Sequence, residues 1–291
     1  MNTAIAAPDT LPGISPGIYS AQDFAAVSAI AHHAAGIVLA DGKAMLVYSR
    51  LAPLVRDSGC ATFGSYIMRI REDAAERGRA IMALTTCHTF FYREAHHFAH
   101  FAETVRPGLL AELERGEQVR LWSAGSSRGE EAWSLLMALL GPDRAAGEAI
   151  AKNDVRLLAS DISVHALRQA EIARYRAEQF KAVPEALVRA WTVQAGGQTH
   201  LEIAPTVRAA ARFHPFNLLG EWPMQEQFDV IFCRRVMIHF DDPARERLTA
   251  RLADALVPGG WLYIGHNEHI TGPALDGLTP AGPTIYRRNM R

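Results

Sequence analysis

From Gln118 onward the chain alternates two hydrophobic periods, and this limits its possible folds more than any other feature. Gln118-Val-Arg-Leu-Trp-Ser-Ala124 reads as a strand, and Glu130 to Leu140 as a helix. Val155-Arg-Leu-Leu-Ala-Ser160 is a second strand, followed by a helix opening near Ser163. Phe228-Asp-Val-Ile-Phe-Cys233 is a buried strand. Asp242 and Pro243 supply an N-cap and a first-turn proline for a helix expected to stop before Pro258-Gly259-Gly260. Trp261-Leu-Tyr-Ile-Gly265 is a further strand. Strands alternating with helices predict an α/β domain with a mostly parallel sheet.

Residues 20–80 carry no strand pattern. Ser20, three before Asp23, resembles a capping arrangement, and Phe24, Val27, Ile30, Ala31 and Ala34 follow at helical spacing until Gly36 permits a left-handed cap. Leu46, Val47, Leu51 and Leu54 stripe a second helix closed near Gly59, and Phe63, Tyr66, Ile67 and Ile70 stripe a third. The reading is therefore an arm over 1–19, rich in Ala, Pro and Gly, a helical N-terminal domain over 20–80, and an α/β domain over 81–291. Residues 181–210 are the least regular part and are expected to hold a small insertion. Lys43 and Arg50, seven apart, share a helix face that reads as solvated.

Charge and cysteine content narrow the function classes. Thirty basic side chains against 31 acidic leave a formal charge of −1, so no overall cationic field points to nucleic acid or an anionic membrane surface. Only Lys43, Lys152 and Lys181 among those cations are lysines, which reads as compositional bias. Cys60, Cys87 and Cys233 form neither a disulfide framework nor a CxxC zinc pair, and reduced thiols suit a cytoplasmic protein. The N-terminus lacks the cationic start and apolar core of a signal peptide, and no apolar run approaches the roughly 18 residues of a membrane span.

The strongest local signal is Ser123-Ala-Gly-Ser-Ser-Arg-Gly-Glu-Glu131, placed between a strand and a helix. Gly125 and Gly129 allow a tight turn and close approach of a ligand, and the helix start offers unpaired N–H groups. Two glycines alone fit a purely structural turn equally well. The second strand ends in Ser160-Asp161, where a carboxylate can accept from a ribose diol. The Gly129–Asp161 spacing of 32 exceeds the roughly 20 of the nicotinamide dinucleotide fingerprint, and no GxGxxG is present. Glu130 and Glu131 further disfavour a phosphate at the helix start, and suit a cationic nucleoside such as S-adenosylmethionine.

Two other constellations flank this loop. Leu84-Thr-Thr-Cys-His-Thr-Phe-Phe-Tyr-Arg-Glu94 places Thr89 and Arg93 just before the α/β domain, with Phe90, Phe91 and Phe98 read as core. His96, His97 and His100 cluster, but no carboxylate or cysteine completes a metal set, so no metal is expected. Arg234, Arg235 and His239 lie beyond the end of the 228–233 strand, where ligands bind in open α/β sheets.

Four segments in order, LTTCHTFFYREAHHF, RLWSAGSSRGEEAWSLLMAL, LLASDISVHALRQA and FDVIFCRRVMIHF, with VPGGWLYIGHNE trailing, resemble the chemotaxis receptor glutamate O-methyltransferases, the CheR family. RFHPFNLL and the helical segment GIVLADGKAMLVYSRL are similar as well, so the resemblance spans nearly the whole chain. It implies a Rossmann-like S-adenosylmethionine-dependent methyltransferase domain, a small all-helical N-terminal domain, and a small β-subdomain inserted within 181–212. It also implies a cytoplasmic enzyme that esterifies glutamates on the helical cytoplasmic domain of chemoreceptors, with S-adenosylhomocysteine as product. On the charge and hydropathy above neither nucleic acid nor stable membrane insertion is expected, and nothing in the sequence demands more than a monomer. Some members dock a receptor's C-terminal peptide on that insertion.

Carried over position by position, the resemblance places Cys87, Thr89 and Arg93 along the cofactor and the methyl-transfer site. Glu130 contacts the cofactor, with Glu131 the second choice, and Asp161 meets the ribose. Asn217 and Leu218 flank the adenine, and Arg234 and Arg235 follow the long strand. Arg93 and His239 are the residues expected at the transfer itself. The chain departs from the family where Cys87 and Arg235 replace asparagines and His239 replaces a tyrosine. Those departures define the alternative reading, a non-catalytic relative that senses the cofactor or binds a protein partner.

Overall fold

The computed structural model describes residues 15, 17–85, 89–197 and 199–290, so Cys87 and most of the 1–19 arm lie outside the described residues. The chain forms two compact units. One comprises Met1–Thr86 with His239–Asp241, the other Cys87–Ile238 with Asp242–Arg291.

The first unit is helical, with α1 (Ala21–Ala35), α2 (Ala44–Asp57), α3 (Phe63–Glu72) and α4 (Ala74–Leu84). Its local signals act as read. The Ser20 side chain accepts from Asp23 N at 3.2 Å, Ser20 N donates back to the Asp23 carboxylate at 2.9 Å, and Gly36 takes φ 67°. In α3 all four striped residues are buried. In α2 the buried face is instead Ala44, Val47, Leu51 and Val55, and Leu46 is exposed. A small alanine at 44 sets this register, which a reading weighted towards leucine displaced. On the face read as solvated, Lys43 is exposed and Arg50 is half-buried: Arg50 Nη1 donates to Leu84 O at 2.8 Å, satisfying a carbonyl at the end of α4 that has no partner within its helix. No separate stripe marked α4. It starts at Asp73, whose carboxylate accepts from Ala75 N and Glu76 N.

The second unit is built on a mixed sheet. Its strands are β1 (Val119–Ala124), β2 (Val155–Asp161), β3 (Arg174–Arg176), β4 (Thr192–Ala195), β5 (His200–Ile203), β6 (Ala211–Pro215), β7 (Phe228–Cys233), β8 (Leu256–Ile264), β9 (Leu278–Gly282) and β10 (Ile285–Arg288). The main sheet has seven strands in the order β6-β2-β1-β7-β8-β10-β9. Its first five strands run parallel, while β9 and β10 form an antiparallel edge. Helices α5 (Ala95–His100) and α6 (Arg106–Glu114) precede β1, and α7 (Glu130–Leu140) and α8 (Arg144–Ile150) connect it to β2. Helix α9 (Val164–Ile172) follows β2, and α12 (Asp242–Asp254) follows β7. The short helices α10 (Glu185–Trp191), α11 (Pro205–Ala209) and α13 (Ala274–Gly277) complete the set. Helix α7 is buried along its whole length against the sheet, as its near-continuous apolar text requires.

Strand β8 departs from expectation. Helix α12 stops before Pro258 as read, but β8 starts at Leu256 and not at Trp261, so Pro258-Gly259-Gly260 lies inside a strand. Phe228 faces Leu256 and Val230 already faces Trp261, so the intervening residues bulge out of the ladder. A bulge is where a strand tolerates proline. The small insertion is a three-stranded antiparallel sheet in the order β3-β5-β4. It begins earlier than residue 181, because β3 lies directly after α9.

The order of the main sheet reverses at β1, with β2 on one side and β7 on the other. At such a switch point the loops leaving the carboxyl ends of neighbouring strands diverge and open a crevice. Residues 125–129, 161–163 and 234–236 lie there.

Candidate functional site

The loop after β1 is closed onto β2 by two backbone bonds, Gly125 N and Ser126 N both donating to Ser160 O at 2.8 Å. Gly125, Ser127 and Gly129 take φ values of 79°, 49° and 89°. A Cβ on Gly125 would fall 2.3 Å from Val236 Cγ2, and one on Gly129 would fall 2.7 Å from Ala170 Cβ. Both glycines are thus required by the protein's own packing, in keeping with the tight turn read at these positions.

The two glutamates that open α7 have different fates. Glu131 is fully engaged: its Oε1 accepts from Ser123 Oγ at 2.7 Å and its Oε2 from Arg234 Nε at 2.6 Å. Glu130 is wholly buried, yet only its Oε1 has a charged neighbour, Arg128 Nη2 at 3.1 Å. Its Oε2 has no hydrogen-bond partner among the described residues. Burial pushes the Glu130 carboxyl above its ordinary range, against the pull of Arg128 and of the Thr89 hydroxyl. Asp161 accepts from Ser127 N and Ser163 N, each at 2.8 Å. Burial raises its pKa too, opposed by these backbone donors.

Arg93 lies between two non-glycine residues with positive φ, Tyr92 at 55° and Glu94 at 60°. Each such conformation costs about 1–2 kcal/mol and persists where the surroundings enforce it. Here Tyr92 N donates to Ser134 Oγ on α7 at 3.0 Å. The Arg93 guanidinium lies over the Phe90 ring at 5.3 Å, and burial followed by repulsion from Arg235 lowers its pKa. Phe91 and Phe98 are core as expected, but Phe90 is exposed.

Arg234 is buried and turned inward. Besides Glu131 it donates to the Arg93 carbonyl, and its guanidinium lies 5.3 and 5.2 Å from the Phe98 and Phe232 ring centres. Its side chain therefore ties together the segments that form the crevice. Arg235 has φ 62°. The left-handed region accommodates asparagine more readily than arginine, so the asparagine that the resemblance leads one to expect here would have a backbone reason. Its charge is met by Glu94, whose Oε1 is 3.6 Å from Arg235 Nε.

Three acidic or basic residues that sequence reasoning left without a role support this group. Glu94 lies 2.9 Å from His266 Nδ1 and 3.6 Å from Arg234 Nη1. Burial raises its pKa, but His266 and Arg234 outweigh that and hold it below the ordinary range. His97 is fully buried, with Nε2 2.9 Å from Thr284 Oγ1, and is depressed to about 3 by burial and by Arg234. Glu268 accepts from Arg235 N at 2.8 Å and Gly265 N at 2.6 Å, clamping the loop after β7. The trailing GHNE segment was the available signal for Glu268.

Asn217 Oδ1 accepts from Leu219 N at 3.0 Å, and the buried Leu218 offers its carbonyl to Trp222 Nε1 and Arg251 Nη1, each at 2.9 Å. The pair thus sits in a fixed turn after β6. His239 belongs to the helical unit, where Val38 N donates to its carbonyl at 2.7 Å, and burial, Lys43 and Arg50 lower its pKa. No cluster of potential metal ligands occurs among the described residues.

The crevice fits a cationic nucleoside. Glu130 Oε2, Ser126 Oγ and Ser127 Oγ are buried polar atoms without partners among the described residues, and buried polar groups left unpaired are costly unless a ligand satisfies them. One is a carboxylate suited to a positive group. Comparisons with known proteins agree. The family described as CheR methyltransferase, SAM binding domain, matches residues 87–277, and CheR methyltransferase, all-alpha domain, matches residues 22–85. A probable chemotaxis protein methyltransferase of Rhizobium etli is 37% identical, over 87% of this chain and 94% of that protein. The chemotaxis protein methyltransferases of Klebsiella aerogenes and Escherichia coli are 35% and 34% identical, each over 90% of this chain and 88% and 89% of their own.

Proposed function

Because the chain belongs to the CheR methyltransferase family, we propose that its methyl acceptor is a glutamate carboxylate on the cytoplasmic helical domain of a chemoreceptor, converted to a methyl ester. The protein is an S-adenosylmethionine-dependent methyltransferase of chemotaxis. The observation that carries the site assignment is the buried Glu130 carboxylate at the start of α7, one oxygen of which has no partner among the described residues.

Bound S-adenosylmethionine supplies a methyl group activated by a positive sulfur. In this reading Glu130 holds the cofactor's positive amino end, Asp161 receives the ribose hydroxyls, and Asn217 and Leu218 flank the adenine. Thr89, with Cys87 beside it in sequence, lines the transfer side. Arg93 orients the acceptor carboxylate. Glu94, Glu131, Arg234 and Glu268 fix the loops that carry these groups, and Arg235 closes the edge.

A glutamate carboxylate is already ionised near neutral pH, so the chain need not provide a general base. Charge is neutralised as the ester forms, so alignment and exclusion of water are the main contributions asked of the protein. The helices of the described residues are all too short or too polar to cross a membrane.

The test is incubation with a receptor cytoplasmic fragment and methyl-labelled S-adenosylmethionine. Label on glutamates, released as methanol by mild alkali, is the expected outcome. Alkali-stable label, or label that persists after the receptor's glutamates are replaced, would overturn the assignment of the acceptor.

A further inference from the structure

The crevice carries a second charge that neither the family resemblance nor the sequence reading assigned. Arg128 Nη2 lies 3.1 Å from Glu130 Oε1, and Arg128 Nε is buried without a hydrogen-bond partner among the described residues. The backbone on either side is fixed. Ser127 N is bound to Asp161 Oδ2 at 2.8 Å, Gly129 is packed against Ala170, and the Arg128 carbonyl accepts from Tyr175 OH. Only the side chain, 41% exposed, remains adjustable beside a carboxylate of zero exposure.

We propose that Arg128 is a cofactor-binding residue. It forms with Glu130 a two-charge clamp for the zwitterionic amino-acid end of S-adenosylmethionine. Glu130 takes the ammonium and Arg128 the carboxylate. This rests on the cofactor reading above and deepens it. The electrostatics call for such a cation, because Glu130 and Asp161 would both repel the cofactor's carboxylate. Of the nearby arginines, Arg234 is committed to Glu131 and to the Arg93 carbonyl, and Arg93 lies over Phe90. Arg128 stands on the loop itself, and its planar fork can meet a carboxylate with two bonds.

The experiment is calorimetric titration of the full chain and of Arg128→Gln and Arg128→Lys. The ligands are S-adenosylhomocysteine and its analogue lacking the carboxylate. Arg128→Gln is expected to weaken S-adenosylhomocysteine about tenfold to a hundredfold, the range of a charge-assisted bond, and to leave the decarboxylated analogue unchanged. Arg128→Lys should lie between. Equal S-adenosylhomocysteine affinity in Arg128→Gln overturns the proposal, as does an equal loss for both ligands. Tighter binding by Arg128→Gln also overturns it, showing instead that Arg128 competes with the ammonium for Glu130. Failure of the unaltered protein to bind S-adenosylhomocysteine would sink the cofactor reading as well, and so is distinguishable from failure of the clamp alone.

Discussion

Arg234 Nε lies 2.6 Å from Glu131 Oε2, and this buried pair ties the loop after β7 to the first turn of α7. The same guanidinium reaches the Arg93 carbonyl, so three segments of the crevice share one cation. Removing one member of a buried pair leaves the other charge uncompensated, at a cost of about 3–5 kcal/mol. Glu131→Ala is expected to lose stability in that range in urea denaturation. A change under about 1 kcal/mol would mean the pair contributes little beyond its desolvation cost.

Glu130→Gln should behave in the opposite way. Burial raises the Glu130 carboxyl, so the folded state holds its proton above the pH at which the unfolded chain releases it. The unaltered protein therefore loses stability as pH rises through that window. The amide removes this penalty, so at pH 8 the variant should be as stable as the parent or more so. Its affinity for S-adenosylhomocysteine should fall at least about tenfold, as expected on losing a charge-assisted bond. Unchanged affinity would remove Glu130 from the binding site.

His97 predicts an acid-sensitive core. Its folded pKa of about 3 lies below the ordinary value of 6.5, so between these values the unfolded chain binds a proton that the folded chain does not. Stability from this group is intact above pH 6.5 and falls with decreasing pH, by about 1.4 kcal/mol per unit at full slope. Replacement by glutamine should flatten the loss between pH 6.5 and 4.5, relative to the parent, in chemical denaturation. Parallel curves would show that His97 does not titrate as argued.

Two glycines separate backbone strain from packing. Gly116, at φ 78°, has open space where a Cβ would stand, whereas Gly129, at φ 89°, would place one against Ala170, Trp133 and Tyr175. Gly116→Ala should cost about 1–2 kcal/mol through its left-handed backbone alone. Gly129→Ala should cost about 1–3 kcal/mol more through overpacking, visible as a larger drop in Tm.

Arg93→Ala should slow methyl transfer far more than it lowers Tm. The residue is only half-buried, and its neighbours are fixed by bonds that do not involve its side chain, such as Tyr92 N to Ser134 Oγ. Unchanged turnover would remove Arg93 from the transfer site.

Local text was enough for features whose partners lie within a few residues. The Ser20–Asp23 cap, the span of α7 and the β7 strand are written in spacing and alternation, because a helix turn or a pleat is set by the residues it contains. Short elements were not legible in the same way. Strands β3 and β5, of three and four residues, are too brief to show a period, and the bulge in β8 exists only opposite β7.

The charged groups divide along the same line. Glu130 and Glu131 are adjacent and chemically identical, and nothing in their neighbourhood of sequence says which one is spent on structure. That is decided by Arg234, 103 residues away from Glu131, and by Ser123, which together occupy both oxygens of Glu131, while one oxygen of Glu130 has no partner among the described residues. Arg50 is drawn partly out of solvent in the same way by a carbonyl 34 residues away. A carboxylate's role is fixed by the donors that folding brings to it, and those donors converge only when strands and helices pack.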